Sequence, residues 1–375
     1  MKIAMIGQKG IPALYGGIER HVEEIARRLV LRGHEVSVYC RLHYTPTGGM
    51  YHGIELVRLP SINTKHLDTA THVAASTAHS VFQDYDVVHF HALGPSVFAG
   101  LPRLFGKPTV VTVHGLDWQR EKWGAAASWV LKQCEVPAVN FPNRTIVVSR
   151  TLQKYFAEHH GKPTVAIPNG TVLPDPRPAH RILKFGLEAH KYILFVGRLV
   201  PEKGVHFLCE AFSRLDTDMT LALVGGSSGS DDYVAQIKKF EGPRVRMLDY
   251  VYGEALEELW SNAYCVVQPS TLEGLSLALL EALSYGRCVL ISDIPENLEV
   301  TEDAAFTFKN RDVDDLTRQL DRLIKEPALV RQFEQKARGH IAEHYSWDRV
   351  VDATAGVYEE LLASRSRPVA PPTRD

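Results

Sequence analysis

The sequence predicts two α/β domains, each built on a parallel, doubly wound sheet. Apolar strand segments alternate with amphipathic helical segments along the chain, and the second half repeats the alternation of the first. The length of 375 residues and the hydrophobic content of 45% agree with two domains, since one core of this size would be unusual.

The first half opens with a strand at 2–6, a glycine-rich loop to Gly17 and a helix that is expected to end at Gly33. The segment HEVSVYC supplies the next strand and completes a βαβ unit. Further strands are predicted at Asp86–Phe90, Thr109–Val113 and Thr145–Val148.

A proline-rich segment separates the halves. TVLPDPRPAH contains three prolines, which interior helices and central strands do not tolerate, so it predicts a linker. We therefore expect an N-terminal domain at 1–170, a linker at 171–185 and a C-terminal domain at 186–340. A terminal helix at 341–363 is expected to pack back on the N-terminal domain, and the tail 364–375 to be disordered.

Charge and cysteine usage exclude several classes. The net charge of −2 argues against nucleic-acid binding by bulk electrostatics. The five cysteines are dispersed in apolar runs and predict reduced core thiols. With neither a signal peptide nor a membrane span evident in the sequence, we expect a cytoplasmic protein, with the inner face of the plasma membrane as an alternative location.

The segment 269–292, PSTLEGLSLALLEALSYGRCVLIS, carries the strongest chemical signal. A strand leads into a loop with Glu273, and a helix is expected to start near Ser276 and to carry Glu281. The first amides of such a helix lack intrahelical partners, so the backbone of Gly274, Leu275 and Ser276 can bind phosphate or sugar oxygens. The alternative is that Glu281 only solvates a helix face.

The segment 195–204, FVGRLVPEKG, places two cations after a strand. Arg198 and Lys203 can converge with a helix N-terminus on one anion, which would neutralise a departing diphosphate without metal. The alternative is that both side chains are simply solvated. Under the first interpretation, Lys203→Ala lowers turnover much more than folding stability.

EGLSLALLEAL and GRLVPEKG together resemble the signature pair of the family-4 retaining glycosyltransferases, which have the GT-B fold. TVHG, IPNG and IPALYGGIER are also similar to that family, so the resemblance covers nearly the whole chain. IPALYGG and HGLDWQREKW further resemble a subset associated with bacterial cell-surface polysaccharide synthesis. The resemblance implies two Rossmann-like domains facing an interdomain cleft, the first on the acceptor side and the second binding a nucleotide sugar.

The resemblance also implies residue roles. Arg198 and Lys203 hold the donor diphosphate, Glu281 the ribose hydroxyls, and Glu273 the transferred sugar, with the amides of Gly274, Leu275 and Ser276 completing the clamp. His114, at the end of a parallel strand, touches the donor sugar near the reacting carbon. Gly16 and Gly17 allow close approach of the first loop to phosphate or acceptor, and the turn at Tyr250 and Val251 contacts the nucleobase.

The implied reaction is retaining and metal-independent transfer of a hexose-type sugar, with no cofactor. A nucleotide-diphosphate sugar, UDP-linked by preference, is the donor, and a glycan, lipid-linked or small molecule is the acceptor. The family is thought to use same-face attack, with the leaving phosphate taking the acceptor proton, so no nucleophile is named.

Other clusters permit several interpretations. His89 and His91 lie two apart on one predicted strand, but no third metal ligand is evident nearby, so they are interpreted as core or cleft histidines. Aromatic and basic character are combined after His114 in Trp118, Lys122, Trp123 and Trp129. Three interpretations stay open: a patch that docks on anionic lipid, a wall of the acceptor site, or core packing.

The same segments distinguish between competing functions. An NAD(P)-dependent oxidoreductase requires GxGxxG after the first strand, where the chain has GQKGIP, and an acidic residue where Arg41 stands. A nucleotide-sugar epimerase or a glycan phosphorylase shares the fold, but the two signature segments favour transfer. A catalytically inactive sugar-binding module is disfavoured because Arg198, Lys203, Glu273 and Glu281 are all present.

Overall fold

The computed structural model describes residues 1–14, 16–64, 67–119, 124–227 and 229–366. The chain forms two compact units, one comprising Met1–Trp118, Ala125–Asn169 and the chain from Trp347, the other comprising Gly170–Ser346 together with Gln119 and Gly124. Each unit is a parallel-sheet α/β domain, so the predicted fold class is confirmed.

The first unit contains an eight-stranded sheet in the order β3-β4-β2-β1-β5-β6-β7-β8. Its strands are β1 Lys2–Ile6, β2 Glu35–Arg41, β3 Gly49–Tyr51, β4 Ile54–Leu59, β5 Val87–His91, β6 Thr109–Val113, β7 Arg144–Val147 and β8 Val165–Ala166. Its helices before the second unit are α1 Gly17–Leu31, α2 Leu67–Val81, α3 Leu93–Ser96, α4 Gly100–Leu104, α5 Ala125–Gln133, α6 Glu135–Asn140 and α7 Arg150–His160.

The sheet of the first unit is not wholly parallel. β3 pairs antiparallel with β4 at the sheet edge, whereas every other pairing in this sheet is parallel. The short β3–β4 hairpin was not predicted, because β3 is only three residues long and largely exposed and so has no apolar pattern. The central strands β5 and β6 are buried at every position, as expected for strands covered on both faces.

The second unit contains a six-stranded sheet in the order β11-β10-β9-β12-β13-β14, with every pairing parallel. Its strands are β9 Tyr192–Val196, β10 Thr220–Val224, β11 Val245–Met247, β12 Cys265–Gln268, β13 Val289–Ser292 and β14 Phe306–Phe308. Its helices are α8 Val205–Ser213, α9 Asp231–Lys238, α10 Gly253–Asn262, α11 Leu277–Ser284, α12 Pro295–Thr301, α13 Val313–Lys325 and α14 Pro327–His344. Among the described residues of the whole chain, Asp117–Gln119, Arg181–Phe185 and Pro201–Lys203 form short 3-10 helices.

The segment expected to be a linker, 171–185, is part of the second unit in the structure. Its backbone is bound by α10, because the Glu258 carboxylate accepts hydrogen bonds from the amides of His180, Arg181 and Ile182. Arg177 adds an ion pair with Glu257 at 2.8 Å. The proline-containing part of the segment, 171–180, forms neither helix nor strand, but the segment is bound to α10 and is not a free connection.

The helix expected at 341–363 is divided in the structure. α14 ends at His344, and a separate helix, α15, covers Trp347–Ser366 and belongs to the first unit. There Arg32 on α1 pairs with Asp348 and Asp352, at 3.3 and 2.7 Å. Residues 367–375 of the expected tail lie outside the described residues. None of the described helices combines the length and apolar character needed to cross a membrane.

Candidate active site

In the second unit, the predicted site residues follow β9 and β12, which are neighbours in the sheet. The chain proceeds from β9 to β10 and β11 on one side and from β12 to β13 and β14 on the other, so the sheet order reverses between β9 and β12. In open parallel α/β sheets, ligands bind at the carboxyl ends of the strands at such a reversal. Arg198, Lys203 and Glu273 all lie in the loops that leave these two strand ends.

The loops after β9 and β12 are held together by their backbones. Thr271 donates its backbone N–H to the carbonyl of Glu202 at 2.8 Å. Gly204 has a φ of +66°, and a Cβ at this position would lie 2.0 Å from the Pro269 carbonyl oxygen. Only glycine allows this close approach, which places Lys203 beside the second loop.

Lys203 and Glu273 form a buried ion pair. The Lys203 Nζ lies 2.5 Å from Glu273 Oε1, and their side chains are only 13% and 9% exposed. Gln268 Nε2 donates a second hydrogen bond to the same oxygen at 3.1 Å. Burial by itself raises the pKa of Glu273, but the charge and hydrogen bond of Lys203 and the bonds from Ser270 and Gln268 outweigh it, and the pKa lies below its ordinary value.

The first turn of α11 follows directly. Ser276 is the N-cap, and its side chain accepts from the amide of Leu279 at 3.4 Å, so the predicted helix start is confirmed. No described residue accepts a hydrogen bond from the backbone N–H of Gly274 or Ser276. Leu275 lies between them and is buried, and Glu281 lies in the second turn with a half-buried side chain.

Arg198 and Val251 lie at the same carboxyl edge. Arg198 follows β9 directly, in the same loop as Lys203, and is half-buried. Val251 lies in the turn after β11, where the neighbouring Tyr250 hydroxyl donates to the carbonyl oxygens of Gly226 and Ser227 at 3.2 and 3.0 Å. The site residues predicted in the second half therefore share one edge of one sheet.

In the first unit, Gly16 and Gly17 begin α1, and Gly16 is its N-cap with a φ of +102°. A Cβ on Gly16 would lie 2.1 Å from the Glu19 carboxylate, which also accepts from the amide of Lys9 at 3.1 Å. The structure gives a further reason for glycine at position 16, because the space beside it is occupied by the buried Glu19 carboxylate. The expected approach of phosphate or acceptor to Gly16 and Gly17 stays a prediction.

His114 follows β6 directly, as expected from the sequence, and lies beside two other histidines. Its Nε2 is 3.2 Å from His91 Nδ1, and its ring centroid is 4.6 Å from that of His21. These three residues each offer a nitrogen within 4.8 Å of the others, a candidate metal-binding group. No third ligand near His89 and His91 is evident from the sequence, but the structure places two further histidines close to His91. These are His21 on α1 and His114 in the loop after β6.

Sequence reasoning missed His21 and Asn169 as part of this cluster. His21 Nδ1 lies 2.7 Å from Asn169 Oδ1, and both residues are buried. Burial lowers the pKa of His21 to about 4, although the bond to Asn169 opposes this. Asn169 belongs to the IPNG segment, and His21 lies on α1 just after the glycine-rich loop. The sequence therefore identified both segments as functional, but it did not predict that these two side chains are in contact.

The aromatic and basic patch after His114 separates into two environments. Trp118 donates its indole N–H to the buried carboxylate of Glu135 at 2.6 Å, and Lys132 Nζ lies 4.8 Å from the centre of its ring. Trp129 on α5 is instead 65% exposed. Trp118 is thus held by internal contacts, whereas Trp129 remains available for an interaction. Lys122 and Trp123 lie outside the described residues.

Known proteins match both halves of the chain. The model described as Glycosyltransferase Family 4 matches residues 15–173, and the model described as Glycosyl transferases group 1 matches residues 183–340. An uncharacterized glycosyltransferase of Methanocaldococcus jannaschii is 26% identical over 390 residues, which cover 98% of this chain and 100% of the relative.

Solved structures establish the fold. Sucrose-phosphate synthase from Thermosynechococcus elongatus matches with a TM-score of 0.85 at 22% identity, over 97% of this chain and 99% of the other. Anabaena HepE, solved in complex with UDP-glucose, matches with a TM-score of 0.79 at 19% identity, over 96% of this chain and 100% of the other. The fold is therefore GT-B.

Proposed function

The chain belongs to the family-4-type glycosyltransferases, and from this premise we propose that it transfers a hexose-type sugar from a nucleotide-diphosphate sugar with retention of configuration and without a metal ion. The observation that carries the proposal is the buried Lys203–Glu273 pair beside the N-terminus of α11, at the strand reversal of the second unit. This arrangement places a positive charge against a carboxylate, and the backbone N–H groups of Gly274, Leu275 and Ser276 follow that carboxylate directly in the chain.

The chain's own groups supply the charge that the leaving group requires. When the bond from the anomeric carbon to the diphosphate breaks, negative charge accumulates on the phosphate oxygens. We assign Arg198, Lys203 and the amides of Gly274, Leu275 and Ser276 to these oxygens. One such interaction is typically worth about 3 kcal/mol in the transition state.

Lys203 is able to serve two partners at once. An ammonium group has three N–H donors, and the structure shows one of them used by Glu273. The remaining donors are assigned to the diphosphate, while the second carboxylate oxygen of Glu273 is assigned to the hydroxyls of the transferred sugar. Glu281, in the second turn of α11, is assigned to the ribose hydroxyls.

Retention is proposed to proceed by attack on the face that the leaving group departs from. The departing phosphate accepts the proton of the attacking hydroxyl, so no enzyme nucleophile is required, and the close carboxylate pair of retaining hydrolases is not needed. His114 is assigned to the donor sugar, Gly16 and Gly17 to the phosphate or acceptor, and Val251 to the nucleobase. UDP is the favoured nucleotide, which agrees with UDP-glucose as the ligand of the similar HepE structure.

The proposed acceptor is a glycan or a lipid-linked or small molecule used in cell-surface polysaccharide synthesis. An exposed apolar surface on the first unit supports membrane contact. Leu104 is 84% exposed, Phe105 60% and Trp129 65%, and the basic Arg103 and Lys132 lie on the same helices. Gly100 on α4 lies against Phe141 after α6, which brings α4 close to the α5–α6 segment. Apolar side chains with flanking cations suit an anionic lipid surface.

A donor screen tests the proposed reaction. The Tm of the purified protein is measured with UDP-, GDP- and dTDP-sugars, each with and without EDTA. In a separate transfer reaction, the anomeric configuration of the product is read by proton NMR. We expect a UDP-sugar to raise Tm equally in both conditions and the product to retain the donor configuration. Strict metal dependence, an inverted product or stabilisation by NADH alone would overturn the proposal.

Liposome sedimentation tests the membrane contact separately. At low salt, the protein is expected to sediment with vesicles of anionic phospholipid, and Trp129→Ser is expected to weaken this. Phe82→Ser is the matched control, because Phe82 is 83% exposed in the same unit but lies at the end of α2. Equal sedimentation of both variants, or none of the wild type, would rule out the assigned surface.

A further inference from the structure

Four histidine rings lie together at the carboxyl ends of β5 and β6 and on α1. The centroids of His89 and His91 are 4.2 Å apart, and those of His21 and His114 are 4.6 Å apart. Both nitrogens of His89 have partners, because Nδ1 lies 2.6 Å from the Tyr358 hydroxyl and Nε2 lies 2.7 Å from the Thr112 hydroxyl. His91 and His21, which the proposed reaction does not use, are instead arranged around His114.

The contact between His91 and His114 has the geometry of a hydrogen bond. The two nitrogens are 3.2 Å apart and the ring centroids 5.5 Å apart, so the nitrogens face each other along the line that joins the rings. Two imidazoles that share a metal ion aim their nitrogens at a common third point instead. Although His21, His91 and His114 are close enough to be considered a metal-binding group, this contact argues for direct bonding between the rings.

The direction of the bond follows from the burial of His91. Burial, helped by the neighbouring histidines, holds the pKa of His91 well below its ordinary value, so the ring is neutral and carries one proton. His91 Nε2 is buried and has no partner among the described residues. Because an unpaired buried N–H is rarer than an unpaired acceptor, the proton is placed on Nδ1, where His91 donates it to His114 Nε2.

His21 confines the same ring from the side. Its Nδ1 is held by Asn169 Oδ1 at 2.7 Å, and its ring meets that of His114 at an interplanar angle of 84°. Trp347 of α15 packs against His21 at 5.9 Å between ring centroids. His114 is therefore bonded on one side and packed on another by buried residues of its own unit.

We propose that His91 is a positioning residue for His114: by donating to Nε2 it fixes His114 in the neutral tautomer whose proton is on Nδ1, and His21 restrains the ring in that orientation. This inference rests on the proposed function, in which His114 contacts the donor sugar. A fixed Nδ1 donor would meet a sugar oxygen without prior rearrangement of the ring, which lowers the cost of reaching the transition state.

Imidazole nitrogen NMR tests the tautomer directly. The full chain is labelled with 15N-histidine, and the His114 signal among the 17 histidines is identified by its loss in His114→Gln. At pH 7.5, the wild type is expected to show His114 as the Nδ1–H tautomer. His91→Asn, whose amide can donate from the position of Nδ1, is expected to preserve this state, whereas His91→Leu is expected to give a mixture of tautomers.

Turnover separates positioning from packing. With the UDP-sugar selected by the donor screen, His91→Leu is expected to lower kcat by about 10- to 100-fold, the usual effect of losing an orienting partner, and to leave KM for the donor nearly unchanged. His91→Asn is expected to recover most of that loss. His89→Leu is the matched control, because it removes an equally buried imidazole from the same strand but no hydrogen bond to His114.

The outcomes are distinct. His114 found as the Nε2–H tautomer or as imidazolium in the wild type, or an Nδ1–H tautomer that survives His91→Leu unchanged, would overturn the inference. A tautomer that shifts in His91→Leu while turnover stays at the wild-type level would support positioning and would instead remove His114 from the proposed reaction.

Discussion

The two sheets carry contrasting chemistry at their carboxyl edges. In the second unit, the loops after β9 and β12 bring together a cation and a carboxylate, Lys203 and Glu273, next to a capped helix. In the first unit, His91 and His114 lie at the ends of β5 and β6, and their ring nitrogens are within hydrogen-bond distance of each other. One fold therefore supplies an ionic environment at the ends of β9 and β12 and a largely uncharged one at the ends of β5 and β6.

The difference arises because burial has different consequences for the carboxylate at one edge and for the histidines at the other. A buried carboxylate stays charged only if a cation and hydrogen-bond donors compensate it, and Lys203, Gln268 and Ser270 do so for Glu273. A buried histidine can lose its proton instead, and burial lowers the pKa values of His21 and His89 to about 4 and about 3. The ionic edge suits a phosphate leaving group, and the neutral edge suits hydroxyl groups.

The largest expected effect is at the ionic edge. Lys203→Met leaves the Glu273 carboxylate buried without its cation, which costs about 3–5 kcal/mol of unfolding free energy for a fully buried pair. The structure thus revises the expectation that Lys203→Ala affects turnover far more than stability, because both decrease. Lys203→Met/Glu273→Gln is expected to recover most of the stability and none of the turnover, as measured by urea denaturation and UDP release.

Lys191→Met is the control for this experiment. Lys191 pairs with Glu188 at 2.8 Å in the same unit, but both side chains are more than half exposed, at 59% and 67%. Its removal is expected to leave the free energy of unfolding nearly unchanged, because exposed ion pairs contribute little to stability. If Lys203→Met proved no more destabilising than Lys191→Met, the buried pair would not be the centre of the ionic edge.

Acidification is expected to weaken the first unit before the second. The folded-state pKa values are about 4 for His21 and for His72, which is buried on α2, and about 3 for His89, all lowered mainly by burial. The unfolded chain binds these protons near pH 6.5, so stability is complete above that pH and is lost as pH falls towards 4. Three such groups give a slope of roughly 4 kcal/mol per pH unit at most, since each contributes about 1.4.

Hydrogen exchange read by mass spectrometry locates this effect. Between pH 7 and pH 5, after correction for the intrinsic exchange rate, β5 and β6 are expected to lose protection before β9 and β12. The depressed pKa of Glu273 acts in the same direction but at lower pH, because its contribution to the stability of the second unit is retained until pH falls below about 4.5. Equal loss in both sheets over this range would contradict the contrast between the edges.

The smallest expected effect concerns how the ionic edge is assembled. Gly204→Ala places a Cβ 2.0 Å from the Pro269 carbonyl oxygen and is expected to separate the two loops, at a cost of about 2–3 kcal/mol and a loss of donor binding. Gly253→Ala is the matched control, because its φ of +58° is similar but no atom lies within 4 Å of the added Cβ. We expect about 1 kcal/mol for the control, and equal Tm losses would show that the loop contact is unimportant.

The sequence by itself determined the two α/β domains and the location of most site residues along them. Buried parallel strands must be apolar, and amphipathic helices must follow a 3.6-residue period, so β6 was predicted at its observed bounds and the start of α11 within one residue. The same reasoning placed Lys203 and Glu273 after strands, since glycine and helix-capping residues mark where strands end and helices begin. The β3–β4 hairpin was not predicted, because the three largely exposed residues of β3 carry no periodic apolar pattern.

Only the tertiary structure decided which of these residues meet. Lys203 and Glu273 are 70 residues apart in sequence, and their contact depends on β9 lying next to β12, which a linear pattern does not specify. His21, His91 and Asn169 come from three separate elements, and the ring nitrogens that face each other depend on how those elements pack. Local sequence periodicity encodes which face of an element is buried, whereas strand order and side-chain packing are long-range properties that determine the partner of each buried polar group.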